Sequence, residues 1–306
     1  MVGALGAAPR LARAVSFDDT PSQLRGPSSL HMPLLTLGMF GTELVWSMEM
    51  SFASPYLVEL GLSKAQTAAV LVAGPISGFL VQPIIGALAD ASTHKWGRRR
   101  PIMLLGCLIS FAAMIQLAFA KDLAAVLTVR GSESHRFCTQ VLAVLAVFGV
   151  DFSVNAVMSV DRSLYIDMLP ASAQGQVGAW AARLAGVGSV LGFLISHMDL
   201  PKHIPFSSFP SLVELSKSGS NEGQLKCLCI ITSLVLLGTH SVTAYVARER
   251  RLTRTEQPIT GVRDVIRVLS EVITNFIKTA RILPEPFRWV LSVQRECSPS
   301  CPPGCC

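Results

Sequence analysis

The sequence predicts an all-α integral membrane protein built as a six-helix bundle. Its mean hydropathy is +0.48, and only 15% of its 306 residues are charged, which is too apolar for the solvated surface of a soluble protein of this size. Six apolar stretches are each long enough to cross the hydrocarbon core as a helix, which takes about 20 residues. None of them alternates with period two, so the strands of a closed barrel are excluded.

The six spans divide the chain into regions. We place the spans at residues 34–57, 66–89, 101–120, 138–160, 176–197 and 226–247. This predicts a disordered cytoplasmic tail over 1–33, the bundle over 34–247, a cytoplasmic linker over 248–286 and an irregular cysteine-rich tail over 287–306. Within the linker, residues 262–282 carry apolar side chains at helical spacing, which predicts an amphipathic helix.

Lysine and arginine in the connections predict the orientation. With the N-terminus inside, 12 of them fall in inner segments and 7 in outer segments. The inner ones cluster at helix ends, at residues 95–100 and 248–254, where the positive-inside rule acts most strongly. We therefore expect both termini on the cytoplasmic side.

The two tails allow other interpretations. The first 16 residues contain Arg10 and Arg13 but no acid, as a mitochondrial presequence would. Four cysteines crowd the last ten residues, but no histidine lies among them and no pair has CxxC spacing, so the pattern is far from a structural zinc site. The sequence predicts no metal site and no cofactor.

Composition also argues against other functional classes. The net charge of +6 would suggest nucleic acid if the basic residues shared one folded face, but they lie in short clusters between apolar runs. The chain contains no GxSxG elbow, HExxH motif or P-loop, so it is not expected to be an enzyme.

Small residues recur at four-residue spacing in two spans, which predicts seams where helix backbones approach closely. In the second span they are Gly74, Gly78, Gln82 and Gly86. In the fifth span two registers are possible, either Gly178, Ala182 and Gly186 or Gly188 and Gly192. Pro55, Pro75 and Pro83 permit bends, because proline removes a backbone donor.

Three acidic residues fall inside predicted spans: Glu43 and Glu49 in the first and Asp151 in the fourth. A charge at the bilayer centre costs at least ~2.5 kcal/mol on insertion scales. Each therefore needs a buried partner, a proton or a water-filled cavity. A structural ion pair, or a glutamate that reaches water at a helix end, is the alternative to a functional role.

Asp151 begins a polar pattern along the fourth span. Asn155 and Arg162 follow it by 4 and 11 positions, which rotates them roughly 40° and 20° from it on an ideal helix. Asp151 and Arg162 are then about 16 Å apart along the axis, so a polar ligand could lie between them near Asn155. A carboxylate here can take and release a proton if its exposure changes, which is what proton coupling requires.

Residues 74–101, GPISGFLVQPIIGALADASTHKWGRRRP, closely resemble the signature of plant sucrose carriers, their animal relatives and fungal α-glucoside permeases. Gly86, Asp90, Gly97, Arg98 and Arg99 match the cytoplasmic loop motif shared across the major facilitator superfamily. Arginine pairs with carboxylates in a bidentate way, so we expect these residues to form a conformational latch. The alternative is that their charges only orient the helix.

Two further segments carry the same resemblance. Residues 41–61 resemble the family's first helix, including both glutamates, and residues 151–167 align without gaps on an aspartate, asparagine, arginine and closing aspartate, which is Asp167. The resemblance implies that Asp151 accepts the proton, that Asn155 is its partner and that Arg162 is needed for transport. Asp161 departs from the plant pattern. Glu43 and Glu49 are further candidates for proton coupling, and Trp46 is a further candidate sugar contact.

The resemblance implies secondary active transport of sucrose or a related α-glucoside with a proton, across the plasma membrane. Family members have twelve helices, so six spans and a linker correspond to the N-terminal half of a major facilitator fold. The composition of the tail suggests a truncated, frameshifted or mis-spliced gene product. The alternative function is therefore a non-transporting six-helix fragment that binds or regulates. The identity of the sugar and the oligomeric state remain open.

Overall fold

The computed structural model describes residues 16–17, 23–92, 94–198, 220–250 and 252–254, together with Arg267, Ser270 and Thr274. The chain forms two compact units, residues 1–258 and 259–306. In the second unit the three described residues are helical, and the Ser270 hydroxyl donates to the Arg267 carbonyl at 2.7 Å. The rest of the predicted amphipathic helix over 262–282, and the cysteine-rich tail over 287–306, lie outside the described residues.

The described part of the first unit is helical apart from short strands and turns. Its helices are α1 (His31–Glu59), α2 (Lys64–Leu71), α3 (Ala73–Ala91), α4 (Arg100–Ala118), α5 (Ala120–Leu127), α6 (Glu133–Met168), α7 (Gln174–His197) and α8 (Ser220–Val246).

Among the described residues, five helical segments are long and apolar enough to cross a membrane: Lys64–Ala91, Arg100–Ala118, Glu133–Met168, Ala171–His197 and Glu222–Val246. They correspond to the second through sixth predicted spans. Helix α1 has 29 residues, including Glu43 and Glu49, and corresponds to the first predicted span. The prediction of an all-α membrane bundle is confirmed.

The second span is interrupted between α2 and α3. Helix α2 ends at Leu71 and α3 begins at Ala73. Pro75 has no N–H group to donate to the carbonyl of Leu71 four residues earlier, so the regular hydrogen-bond ladder is broken there. Pro55 lies inside α1 and Pro83 inside α3 without ending either helix.

Helix α1 lies at the centre of the bundle and packs against α6, α7 and α8. Helix α3 packs on α6, and α4 packs on both α6 and α8. The buried core includes Leu35, Met48 and Leu57 of α1 and Met114 of α4. Because α6 contacts both α1 and α3, polar residues on α6 can be enclosed from two sides.

Short strands tie the N-terminal segment to the chain that leaves α8. Strand β1 (Ser16–Phe17) pairs with β4 (Leu252–Arg254), and β2 (Gln23–Leu24) pairs with β3 (Ala247–Arg248). The tail predicted as disordered over 1–33 thus includes both β1 and β2, a 3-10 turn at Ser28–Leu30 and the start of α1. These pairings lie at the predicted cytoplasmic end.

Candidate functional site

The predicted small-residue seam of the second span packs against the polar stripe of the fourth. A Cβ atom added at Gly74 would lie 3.2 Å from Oδ1 of Asp151, and one at Gly78 would lie 3.2 Å from Oδ1 of Asn155. Both distances are tighter than ordinary van der Waals contact. The glycines therefore let the backbone of α3 approach the polar side chains of α6 directly.

Asn155 is held in a hydrogen-bond network between α3 and α6. Its side-chain N–H groups donate to Ser77 Oγ at 2.7 Å and to the Asp151 carbonyl at 2.9 Å. Its Oδ1 accepts from Gln82 Nε2 at 2.9 Å. Since the side chain is buried, its amide faces α3 in this conformation and not an open space.

Asp151 and Glu49 form a buried pair of acids. Each residue is only 3% exposed, and the two are close enough for their charges to interact. No salt bridge among the described residues involves either one. Within that same part of the chain, Glu49 Oε1 has no hydrogen-bond partner. One candidate of the first span is thus within electrostatic range of the main candidate of the fourth.

Glu43 and Trp46 of α1 are both partly buried. Glu43 Oε2 accepts a hydrogen bond from Ser189 Oγ at 3.1 Å, which places Glu43 at the contact with α7. Glu43 therefore has a different neighbour from Glu49, although the sequence grouped the two together.

Arg162 is exposed, whereas Asp151 and Asn155 are buried. No described hydrogen bond or ion pair joins Arg162 to either residue. Helix α3 covers the stripe as far as Ser159, whose hydroxyl donates to the Gln82 carbonyl at 2.8 Å, and Arg162 lies almost a turn beyond. In this conformation α3 therefore lies against Asp151 and Asn155 and leaves Arg162 uncovered.

The residues of the cytoplasmic loop motif form an ion-pair cluster. Arg99 donates from Nη2 to Asp90 Oδ1 at 2.7 Å and from Nε to Asp167 Oδ2. Arg98 Nη2 lies 2.6 Å from the same Asp167 oxygen. Two arginines and two aspartates thus join the end of α3, the start of α4 and the end of α6. Gly86 is not part of this cluster, since a Cβ added there would face Ser159 at 3.7 Å.

Glu249 is a residue of this cluster that the sequence did not indicate. Its carboxylate accepts the backbone N–H groups of Arg98, Arg99 and Arg100 at 3.0, 2.9 and 2.9 Å. These N–H groups open α4 and lack acceptors within that helix, so a carboxylate suits the positive end of its dipole. Burial raises the pKa of Glu249, although the N–H groups of Arg99 and Arg100 oppose this.

Gly97 permits this close approach. Its backbone φ angle is +110°, a conformation that residues with a Cβ atom rarely adopt. A Cβ added there would also lie 3.2 Å from the Glu249 carboxyl carbon. The one sequence signal for Glu249 was its position as an acid inside the basic segment 248–254.

Comparison with known proteins places this arrangement in a family. The sequence profile described as "MFS/sugar transport protein" matches residues 34–273, which is more than half of the chain. The chain belongs to this family. Membership confirms the resemblance to sucrose carriers and α-glucoside permeases, and it fits the membrane helices described above. The chain is a membrane protein.

Relatives within the MFS/sugar transport family are named as transporters. The general alpha-glucoside permease of Schizosaccharomyces pombe is 32% identical over 267 residues, covering 87% of this chain and 45% of the permease. Sucrose transport protein SUT4 of Oryza sativa subsp. japonica is 29% identical over 245 residues, covering 77% of this chain and 40% of that protein. The chain thus spans less than half the length of these relatives.

The crystal structure of a D-xylose-proton symporter is also similar to the fold. The TM-score is 0.44 at 13% sequence identity, over 81% of this chain and 52% of the symporter.

Proposed function

We propose that this chain supplies the N-terminal half of a carrier that moves sucrose or a related α-glucoside together with a proton, across the plasma membrane. The observation that carries the proposal is that Asp151, which α3 approaches at Gly74, and Glu49 are both buried acids whose charges interact. A transport role, and not catalysis, is proposed because the named relatives are permeases and sucrose transport proteins.

The electrostatic cost of two ionised acids favours proton binding by Asp151 and Glu49. Each ionised carboxylate in the bilayer interior costs at least ~2.5 kcal/mol, and two adjacent negative charges repel each other as well. No described cation offsets them. A proton on the pair removes one charge and the repulsion, so this site holds a proton while α1, α3 and α6 are packed as they are here.

Sugar binding is proposed to compete with the α3–α6 contact. Asn155 already has partners for its amide, so a sugar can reach it only if Ser77 and Gln82 release it. A sugar hydroxyl can replace either partner, because hydroxyls both donate and accept hydrogen bonds. Movement of α3 would then expose Asp151 and change its proton occupancy, which links sugar and proton. Arg162 and Trp46, which are not enclosed by this contact, are proposed to meet the sugar from the open side, and Glu43 is proposed as a further proton-coupling residue.

The ion-pair cluster of Asp90, Arg98, Arg99 and Asp167 is proposed to latch this packing at the cytoplasmic end. It bridges α3, α4 and α6, which include both helices of the seam. Opening the seam at that end would separate Asp90 on α3 from Asp167 on α6, so the arginines would have to release one of the two carboxylates.

The test is uptake of radiolabelled sucrose or maltose in yeast that lacks its own carriers. The chain is expressed alone and fused in frame to the C-terminal part of the S. pombe permease. We expect accumulation that rises at acid external pH and collapses with a protonophore. Asp151→Asn should abolish accumulation, because the amide keeps the size and an acceptor oxygen but cannot titrate.

A matched variant separates coupling from folding. Gly186→Ala adds a methyl group on α7 where nothing lies within 4 Å and should retain proton-driven accumulation. If Asp151→Asn accumulates sugar at the parental level with unchanged pH dependence, the proton site proposed here is wrong. If neither form of the parental chain takes up either sugar, the proposed substrate class is wrong.

A further inference from the structure

A second buried pair of ionisable groups lies where α1, α6 and α8 meet. Asp161 of α6 and His240 of α8 are each 0% exposed, with Nε2 of the histidine 3.1 Å from Oδ2 of the aspartate. Asp161 follows Asp151 by ten residues, which is about 15 Å along a helix axis. This pair is therefore separate from the acids of the α3–α6 seam.

Helix α1 closes over the pair. A Cβ added at Gly38 would lie 2.8 Å from His240 Nε2 and 3.3 Å from Asp161 Oδ2, so only a glycine lets the α1 backbone come this close. Thr42 Oγ1 lies 3.5 Å from the same nitrogen and donates to the Gly38 carbonyl at 3.2 Å. Three helices thus enclose the contact.

The first ring nitrogen has a defined protonation state. His240 Nδ1 lies 2.9 Å from the carbonyl oxygen of Leu236. A backbone carbonyl can only accept a hydrogen bond, so Nδ1 must carry a hydrogen. A neutral imidazole has a single N–H, and this contact uses it.

The second ring nitrogen then requires another proton. If His240 were neutral and Asp161 ionised, the lone pair of Nε2 would face a carboxylate oxygen, and two acceptors would meet at 3.1 Å. One proton between them removes the conflict, whether it lies on the ring as imidazolium or on the carboxyl group. The pair is then neutral overall.

Nothing else described at this contact replaces that proton. The titratable neighbours are Cys107, on α4, and Tyr165, on α6. From α1 the facing residues are Gly38 and Thr42, which do not titrate near neutral pH. Among the ion pairs of the described residues, Asp161 has His240 as its partner, and in the same part of the chain Asp161 Oδ1 has no hydrogen-bond partner.

We propose that the Asp161–His240 contact is a second proton-binding site, and that the proton bound there holds α1, α6 and α8 together. Loss of this proton leaves a net negative charge in a dry junction, which favours separation of α8 from α6. The site makes the packing at this end of the bundle depend on pH, independently of any sugar.

Nitrogen NMR tests the proton directly. The chain is labelled with 15N-histidine and purified in detergent micelles, and the His240 signals are assigned with His240→Gln. At about pH 7.5, one unit above the ordinary histidine value of ~6.5, we expect both His240 ring nitrogens to be protonated or to share a proton with Asp161. Free histidine in the same buffer gives the reference signals of a neutral ring.

Thermal unfolding against pH provides the second readout. Above the pH at which His240 loses its proton in the NMR titration, the melting temperature of the parent should fall, and in Asp161→Asn/His240→Gln this fall should be absent. His240→Gln alone should melt below the double variant, because it leaves the negative charge of Asp161 buried, while the double keeps a neutral amide–amide hydrogen bond. His94→Gln should behave like the parent.

Either of two results would overturn the proposal. One is a His240 ring that is singly protonated at pH 7.5. The other is an identical pH profile in the parent and the double variant. Neither measurement uses a sugar, and Asp151→Asn should leave the His240 signals unchanged, so failure of the transport proposal would be seen separately.

Discussion

The glycines of α7 give a prediction with a control on the same helix. A Cβ at Gly188 would lie 2.6 Å from the Phe40 carbonyl oxygen and 3.2 Å from the Glu43 Cβ. A Cβ at Gly186, two residues away, would meet nothing within 4 Å. Gly188→Ala should therefore disrupt the packing of α7 on α1, and Gly186→Ala should not.

The magnitude follows from two opposing effects. Alanine in a helix interior is favoured over glycine by roughly 0.5–1 kcal/mol, and both variants gain this. Overpacking costs typically ~1–3 kcal/mol, and only Gly188→Ala incurs it, against backbone that cannot rotate away. The difference between the two variants isolates the packing cost at ~1–3 kcal/mol. At roughly 2–4 °C per kcal/mol for a domain of this size, this is a gap of about 2–12 °C in melting temperature.

The assay is thermal unfolding in detergent, followed by a dye that reacts with thiols. Cys107, Cys227 and Cys229 are buried, so they react only when the bundle opens. We expect Gly186→Ala to melt at or slightly above the parent and Gly188→Ala to melt below it. Equal melting temperatures for the two variants would refute the close α1–α7 contact.

Three further predictions concern the cytoplasmic cluster. Glu249→Gln should lower the free energy of unfolding by about 1–3 kcal/mol, because it removes the charge and turns one acceptor into a donor facing an N–H; an unchanged denaturation midpoint would contradict this. Arg99→Lys should impair sugar uptake by the fused carrier, because an ammonium cannot hold Asp90 and Asp167 as the guanidinium does; uptake at the parental rate would leave the latch unsupported. Trp96→Cys should react with an impermeant maleimide only after cells are permeabilised, as the basic residues around it predict; labelling of intact cells would reverse the orientation.

The helices could be predicted from sequence because hydropathy reports directly on lipid burial, but their ends could not. Helix α6 runs over Glu133–Met168, beyond the predicted 138–160. Its last turns contain Asp161 and Asp167, which lower the hydropathy. Both acids are paired within the protein, Asp161 with His240 and Asp167 with Arg98 and Arg99, so the helix continues where composition suggests that it should stop.

The candidate site was predictable where one helix determined it and not where two helices did. Spacing placed Asp151 and Asn155 on one stripe, and they are together. Spacing could not show that Glu49 lies near Asp151 while Glu43 does not, because that depends on how α1 packs against α6. Likewise, the register of the fifth span was open until the contact with α1 distinguished Gly188 from Gly186.

The role of Glu249 depends on contacts that are distant in the sequence. Its position separates it by about 150 residues from the N–H groups that it accepts, and no pattern of spacing connects the two. An acid within a basic segment is a weak signal, since such residues are usually solvated. Its role became visible only when the chain after α8 was seen to cross the start of α4.

The same carboxylate also acts as a mechanical link. Residues 248–250 lead the chain away from the end of α8. The Glu249 carboxylate accepts hydrogen bonds from three consecutive backbone N–H groups at the start of α4. A force on the chain after α8 would therefore be transmitted directly to α4, without first deforming the apolar core. Two of those N–H groups belong to Arg98 and Arg99. A force on Glu249 would therefore also displace their guanidinium groups from Asp90 and Asp167. The Glu249 carboxylate therefore couples the segment that follows α8 to the ion pairs at the cytoplasmic end of the bundle.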